Sequence, residues 1–459
     1  MEQITKPHCG ARLDRLPDCR WHSSMFAIVA FGLLVCWSNA VGGLILAQLK
    51  ALGWTDNSTT ATFSAITTAG MFLGALVGGI IGDKTGRRNA FILYEAIHIA
   101  SMVVGAFSPN MDFLIACRFV MGVGLGALLV TLFAGFTEYM PGRNRGTWSS
   151  RVSFIGNWSY PLCSLIAMGL TPLISAEWNW RVQLLIPAIL SLLATALAWR
   201  YFPESPRWLE SRGRYQEAEK VMRSIEEGVI RQTGKPLPPV VIADDGKAPQ
   251  AVPYSALLTG VLLKRVILGS CVLIAMNVVQ YTLINWLPTI FMTQGINLKD
   301  SIVLNTMSMF GAPFGIFIAM LVMDKIPRKT MGVGLLILIA VLGYIYSLQT
   351  SMLLITLIGF FLITFVYMYV CYASAVYVPE IWPTEAKLRG SGLANAVGRI
   401  SGIAAPYAVA VLLSSYGVTG VFILLGAVSI IVAIAIATIG IETKGVSVES
   451  LSIDAVANK

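Results

Sequence analysis

Twelve apolar stretches constrain this chain more than any other feature. They fall near 23–49, 60–82, 89–107, 112–136, 147–172 and 182–202, and after a polar interval near 263–290, 300–323, 329–349, 352–377, 387–413 and 418–440. Each is long enough to cross a hydrocarbon core ~30 Å thick as a helix. Only 12% of the 459 residues are charged and 56% are hydrophobic, against roughly a quarter charged in soluble domains. That composition excludes a soluble α/β enzyme. The expected fold is an all-α membrane protein of twelve transmembrane helices (spans 1–12) in two pseudo-symmetric six-helix bundles, 23–202 and 263–440. An N-terminal tail (1–22), a linker with short helices (203–262) and a C-terminal tail (441–459) complete it.

A charge pattern repeats between the two sets of spans. The first copy is Asp83-Lys84-x-Gly86-Arg87-Arg88, then Glu138 with Arg145, then Glu204; the second is Asp324-Lys325-x-x-Arg328-Lys329, then Glu380 with Arg389, then Glu442. Equivalent acids are 241, 242 and 238 residues apart (324 − 83, 380 − 138, 442 − 204). A near-constant offset is the trace of an internal duplication, and duplicated six-helix halves point to alternating access between two bundles.

With both termini in the cytoplasm, 28 of the 33 Lys and Arg lie inside, three (Lys50, Arg181, Lys299) lie outside, and Arg118 and Arg399 fall within spans. This is the positive-inside bias, so the net charge of +9 is a topology signal; no single basic patch forms for nucleic acid. Seven cysteines, five of them within spans, form no framework and read as small hydrophobes. No Cys/His cluster has metal-ligand spacing, and the first span reads as an uncleaved signal anchor. The linker is too short and polar for a catalytic domain; one or two helices and then a flexible strap are expected there.

Polar residues recur at steps of three and four on several spans: Ser150, Ser153, Asn157, Tyr160 and Ser164 on span 5; Asn277, Gln280, Tyr281 and Asn285 on span 7; Tyr367, Cys371 and Ser374 on span 10; Asn395 and Arg399 on span 11. A polar stripe facing lipid is costly, so these faces turn either to a shared cavity or to interhelical hydrogen bonds. Gly122, Gly124 and Gly126 let another helix approach span 4 closely. Pro161, Pro313 and Pro406 are expected to kink or open their helices.

The Asp83–Arg88 loop resembles the signature loop of the major facilitator superfamily. Pro203-Glu204-Ser205-Pro206-Arg207-Trp208-Leu209, with Glu380, Pro383-Thr384 and Arg389-Gly390, resembles its sugar-porter and metabolite:proton symporter branch, and the likeness covers essentially the whole chain. It implies spans 3, 6, 9 and 12 outermost, one substrate site at the midplane, and proton symport. The chain departs from that pattern twice. Span 1 carries no acid (Val35, Ser38 and Asn39 occupy the place), and span 4 reads Gly126-Ala127-Leu128-Leu129 where many symporters have one. Facilitated diffusion therefore stands beside symport.

The expected substrate contacts are Asn157, Tyr160, Gln280, Tyr281, Asn285, Trp286, Tyr372 and Asn395, amides and aromatic faces that suit a sugar, polyol or organic acid. Arg118 and Arg399 either face a substrate carboxylate or brace helices through backbone carbonyls, with Asn39 a partner for Arg118. Glu95 and His98, one turn apart on span 3, form either a proton relay or a structural pair. Asp83, Arg87, Glu138, Arg145, Glu204, Asp324, Arg328, Glu380, Arg389 and Glu442 are expected to form a cytoplasmic latch whose pairs form when that side closes. The reading is a monomeric, inner-membrane bacterial transporter without cofactors, in a lipid bilayer, with a small-molecule substrate and protons as partners. A drug exporter, a non-transporting nutrient sensor and an enzyme fit less well, the last for want of a nucleophile–base pair or nucleotide loop.

Overall fold

The computed structural model describes residues 7–17, 19–141, 145–240, 253–323, 325–383 and 386–444. Asp324 and the side chain of Arg145 lie outside the described residues. Span 1 is Arg20–Val35 plus Gly42–Ala51, span 2 Asn57–Thr85, span 3 Arg87–Ala106, span 4 Met111–Tyr139, span 5 Arg145–Asn157 plus Ser159–Leu170, and span 6 Ala176–Tyr201. Span 7 is Gly260–Thr293, span 8 Leu298–Met309 plus Gly311–Val322, and span 9 Arg328–Ser347. Span 10 is Met352–Val370, continued by a π-helical turn, Cys371–Tyr377. Spans 11 and 12 share the helix Lys387–Ile439, divided where Gly417 takes φ 64°. The outward side chains of spans 6, 9 and 12 are apolar, among them Ile189, Leu192, Val341, Ile431 and Ile434, as a lipid-facing surface requires.

The helix breaks have local causes. Span 5 stops at Asn157 and span 8 at Met309, each four residues before a proline (Pro161, Pro313), where the ring meets the i−4 carbonyl. Pro406 leaves its helix unbroken. Span 1 opens at residues 36–41 without a proline. There Gly43 lies so close to span 7 that a Cβ would sit 2.4 Å from the Ile284 carbonyl oxygen. In span 4, Cβ atoms on Gly122 and Gly126 would meet span 2 carbonyls (Thr67, Met71), and one on Gly124 would meet His98 of span 3.

The repeated charges build the same node in each half, at the end that bears the termini. Glu204 accepts the Arg87 and Arg88 backbone N–H groups (2.7 and 3.2 Å), and Glu442 accepts those of Arg328 and Lys329 (2.7 and 3.1 Å). A carboxylate is thus placed on the positive N-terminus of spans 3 and 9. The same arginines reach the far end of the next helix: Arg87 Nε to Glu138 at 2.9 Å, and Arg328 Nε and Nη2 to the two Glu380 oxygens at 3.0 and 3.1 Å. Arg87 also pairs with Asp83 at 2.6 Å. Gly86 cannot be replaced here, because its φ is 96° and a Cβ would lie 2.2 Å from Glu204. A tyrosine completes each node: Tyr139 donates to the Pro203 carbonyl (2.6 Å) and Tyr377 to that of Ile441 (3.1 Å).

The linker folds into helices Pro206–Ser211 and Tyr215–Thr233, and the N-terminal tail folds onto them, a docking that no local pattern in the sequence signals. Helix Cys9–Asp14 buries Cys9 and Leu13, with Leu16, against Trp208, Leu209, Met222 and Ile225. Arg12 pairs with Glu219 and with Glu226 (2.7 Å), and Arg15 with Glu226 (2.6 Å). Trp208 Nε1 donates to the Asp83 carbonyl (2.7 Å), which ties this assembly to the first node.

Two outcomes follow from these contacts. Glu204→Gln or Glu442→Gln removes the charge from a helix N-terminus and should cost about 1 kcal/mol each, read as a lowered Tm in detergent, with Glu227→Gln on the exposed face of the linker helix nearly neutral. Burial raises the Glu226 carboxyl, but hydrogen bonds from Arg12 and Arg15 outweigh it and hold the group below the usual range. A depressed carboxylate contributes its stability above its unfolded pKa of about 4.3 and loses it as pH falls through the lower folded value. Tail docking should therefore be unchanged from neutral pH down to about pH 5 and be lost below about pH 4. Trp208 fluorescence and protease cleavage within residues 7–17 report it.

Candidate functional site

The stripes on spans 5, 7, 10 and 11 meet near the middle of the molecule. Tyr160 and Tyr367 pack edge-to-face with centroids 5.3 Å apart, and Gln280 and Tyr281 lie beside the same pair of hydroxyls. Arg399 donates from Nη1 to the Tyr281 hydroxyl at 2.8 Å. Gly402, one turn further along span 11, brings Tyr281 and Thr68 of span 2 together. Tyr367 stands at the centre of this group although it was not among the expected contacts; its step of four from Cys371 on the span 10 stripe was the available signal.

The remaining expected contacts sit around this centre or away from it. Asn157 and Asn395 lie about one turn nearer the terminus-bearing end, and each amide donates to its own helix, to Ser153 O (2.8 Å) and Ser391 O (2.9 Å). Asn285 lies at the opposite side of the site, where its Oδ1 and Arg118 Nη2 both border Gly42. Trp286 is fully enclosed in the core of the second half. Tyr372 stacks on Tyr377 (5.0 Å, 15°) and points its hydroxyl at Gly332 of span 9, so these two residues are not brought to the centre. A stripe identifies a helix face; the depth of a residue and the neighbour it meets come from packing.

Arg118, 1% exposed, donates to the Ser38 carbonyl (2.7 Å) and the Thr67 hydroxyl (3.3 Å) and lies 4.6 Å from the Phe63 ring centroid. This is the geometry of a brace holding the break in span 1. Glu95 and His98 are enclosed between spans 1, 3 and 4, both 0% exposed. His98 Nδ1 is 3.5 Å from Glu95, and Nε2 is 2.7 Å from the Ser38 hydroxyl. Arg389 stacks over the Tyr254 ring at 5.2 Å, away from the centre.

The two halves meet beside the site at the end away from the termini. At the end away from the termini, span 1 presses on span 7 at Gly43, Asn57 of span 2 bonds Ser414 of span 11 (2.9 Å), and Asn305 of span 8 bonds Ser164 of span 5 (3.1 Å). At the terminus-bearing end Ser374 and Asn395 are exposed, Asn395 on the helix face opposite the outward Ile400, Tyr407 and Val411. The Arg87–Glu138 and Arg328–Glu380 pairs each lie within one half, their geometry set by helices of a single bundle.

Comparison with known proteins agrees with this architecture. The family described as "Sugar (and other) transporter" matches residues 24–455. The chain is 44% identical over 455 residues to the inner membrane metabolite transport protein YdjE of Escherichia coli, covering 98% of this chain and 99% of that one. It is 26% identical to the niacin transporter NiaP of Acinetobacter baylyi, over 96% and 99%. The inward open conformation of the xylose transporter XylE from E. coli shares the fold, with a TM-score of 0.74 at 17% identity, over 94% of this chain and 99% of that one. The duplicated nodes and the twelve spans thus have one account: the chain belongs to the sugar (and other) transporter family, in the sugar-porter branch of the major facilitator superfamily, and is a membrane transporter of sugars or other small metabolites.

Proposed function

We propose that the chain imports a small carboxylate-bearing metabolite together with a proton, by alternating access, with both termini on the cytoplasmic side of the inner membrane. One observation carries the substrate class: the charged group at the centre is Arg399, held by Tyr281 beside Gln280, Tyr160 and Tyr367. An arginine bound to a neutral hydroxyl among polar and aromatic side chains is suited to receive a carboxylate. Among the described residues Glu95 is the one carboxylate more than two turns from a helix end, and it is enclosed within the first half, so no acid competes for Arg399. The aromatic and amide groups around it hold the rest of a polar or ring-shaped molecule. The name of the niacin transporter relative describes a ring carboxylate and supports this choice among the family's cargoes.

The nodes supply the mechanics. Because Arg87, Glu138 and Glu204, and likewise Arg328, Glu380 and Glu442, close within one half, each bundle rocks as a unit about the central site. The terminus-bearing end is then the cytoplasmic side, as its excess of basic residues supports. The missing acids of spans 1 and 4 favour a second reading, facilitated diffusion of the same substrate class.

Counterflow in proteoliposomes separates these cases. Nicotinate and gluconate should exchange, xylose and myo-inositol should not, and Arg399→Gln should raise the half-saturating concentration about tenfold or more. Exchange of the neutral sugars alone would overturn the carboxylate assignment. Uptake of the acids that ignores an imposed proton gradient would establish facilitated diffusion.

A further inference from the structure

Glu95 is enclosed in a membrane helix with neither carboxylate oxygen hydrogen-bonded. A carboxylate placed this way is expensive and is retained where it serves a function. Its neighbour His98 joins it to Ser38, and Ser38 joins both to Arg118: imidazole Nε2 meets the Ser38 hydroxyl at 2.7 Å, and the Ser38 carbonyl accepts from Arg118 at 2.7 Å. Ser38 stands at the break in span 1, in the segment that leads into Gly42 and Gly43 and their contact with span 7. The four residues therefore connect a titratable pair to the seal between the two halves.

We propose that the Glu95–His98 pair is the proton-binding site of this transporter, with Ser38 as the positioning residue that passes its state to the helix break. This rests on the symport reading above. The incoming proton comes from water and is held on Glu95 Oε2, which then donates to His98 Nδ1; the two atoms need to close by only about half an ångström to bond. The added positive charge matches the negative charge of a carboxylate at Arg399, so loaded transport is electroneutral, and the proton returns to water on the other side. The other titratable groups that face the pair are Cys36 of span 1, Arg118 of span 4 and, two turns further along, Cys117 of span 4, packed against Gly105. Tyr94 of span 3 donates instead to the Gly78 carbonyl (2.9 Å), and spans 2 and 6 carry charged residues only near their ends.

A small cavity approaches the pair from the terminus-bearing side, one helical turn short of Glu95. It is lined by Val29, Arg87, Phe91, Thr131 and Phe202, and Phe91 precedes Glu95 by one helical turn. Thr131 Oγ1 is buried there without a partner, the kind of group that holds water in an otherwise apolar space. The cavity begins at the Arg87 node, where solvent is close.

Infrared difference spectroscopy of the purified protein, stepped between about pH 9 and about pH 5, reads the protonation directly and needs no substrate. The carbonyl stretch of a buried carboxylic acid should appear on acidification. It should be absent in Glu95→Gln and remain, with a shifted midpoint, in Ser38→Ala and His98→Gln. In proteoliposomes, Glu95→Gln should lose at least tenfold in accumulation of nicotinate or gluconate driven by a proton gradient, while wild type accumulates the acid. No Glu95-dependent band in wild type overturns the site, as does undiminished proton-driven accumulation by Glu95→Gln. Wild type that shows the band but accumulates neither acid under a proton gradient instead overturns the symport reading and the coupling role built on it. Should Glu95→Gln fail to fold, Glu95→Asp is expected to keep a displaced band, and its absence counts against the site equally.

Discussion

A carboxylate that accepts two backbone N–H groups at the start of a membrane helix is the contact on which the rest of this structure depends. Four N–H groups at a helix start have no partner within the helix, and in a bilayer neither lipid nor a distant side chain supplies one cheaply. Glu204 and Glu442 meet that need for spans 3 and 9, and each comes from the chain just beyond span 6 or span 12. One bond therefore fixes the third helix of a bundle to its sixth. The arginine at the same helix start then reaches the fourth helix of that half through Glu138, or span 10 through Glu380. Three helices of each half are tied together at one end by contacts that lie within that half.

That division of labour determines where selectivity can sit. Contacts within a half are ionic and multiply bonded, whereas contacts between halves at the far end are close backbone approaches and single amide–hydroxyl bonds: Gly43 on Ile284, Asn57 to Ser414, Asn305 to Ser164. Weak, easily remade contacts suit a seam that must open. The central group of Tyr160, Gln280, Tyr281, Tyr367 and Arg399 spans that seam, with Tyr160 from one half and the others from the second. A ligand that bonds both sides has reason to change affinity as the seam moves. The proton site proposed for Glu95 and His98 differs in kind: it lies wholly inside one half and acts on the seam through the break in span 1.

Much of this was legible in the sequence, for identifiable reasons. Helical spans follow from apolar length, and the nodes from charges repeated at a fixed offset, because both signals are local and periodic. Pro161 and Pro313 announced breaks that the structure places four residues upstream, while the helix runs on through Pro406. The opening of span 1 had no such announcement, since it arises where Gly42 and Gly43 meet a helix about 240 residues away in sequence. The docking of helix Cys9–Asp14 on the linker was hidden for the same reason. Its Arg12–Glu226 and Arg15–Glu226 pairs join residues more than 200 positions apart, and a tail of this composition reads locally as a polar leader. Trp286 and Tyr372 show the limit within a helix: each stands off the face that the polar residues of its span mark, and each packs into the second half's own core.

The central claim is that each half moves as one body because its node stays closed. Distances between spin labels test it most directly: one pair spanning the halves at the terminus-bearing end, Thr85 and Lys325, and one pair within the first half, Thr85 and Ser211, each measured without and with saturating nicotinate. The account predicts that the first distance shortens by several ångströms while the second stays fixed. A second distance that changes as much as the first, or a first distance that never changes while nicotinate is exchanged in vesicles, would contradict it.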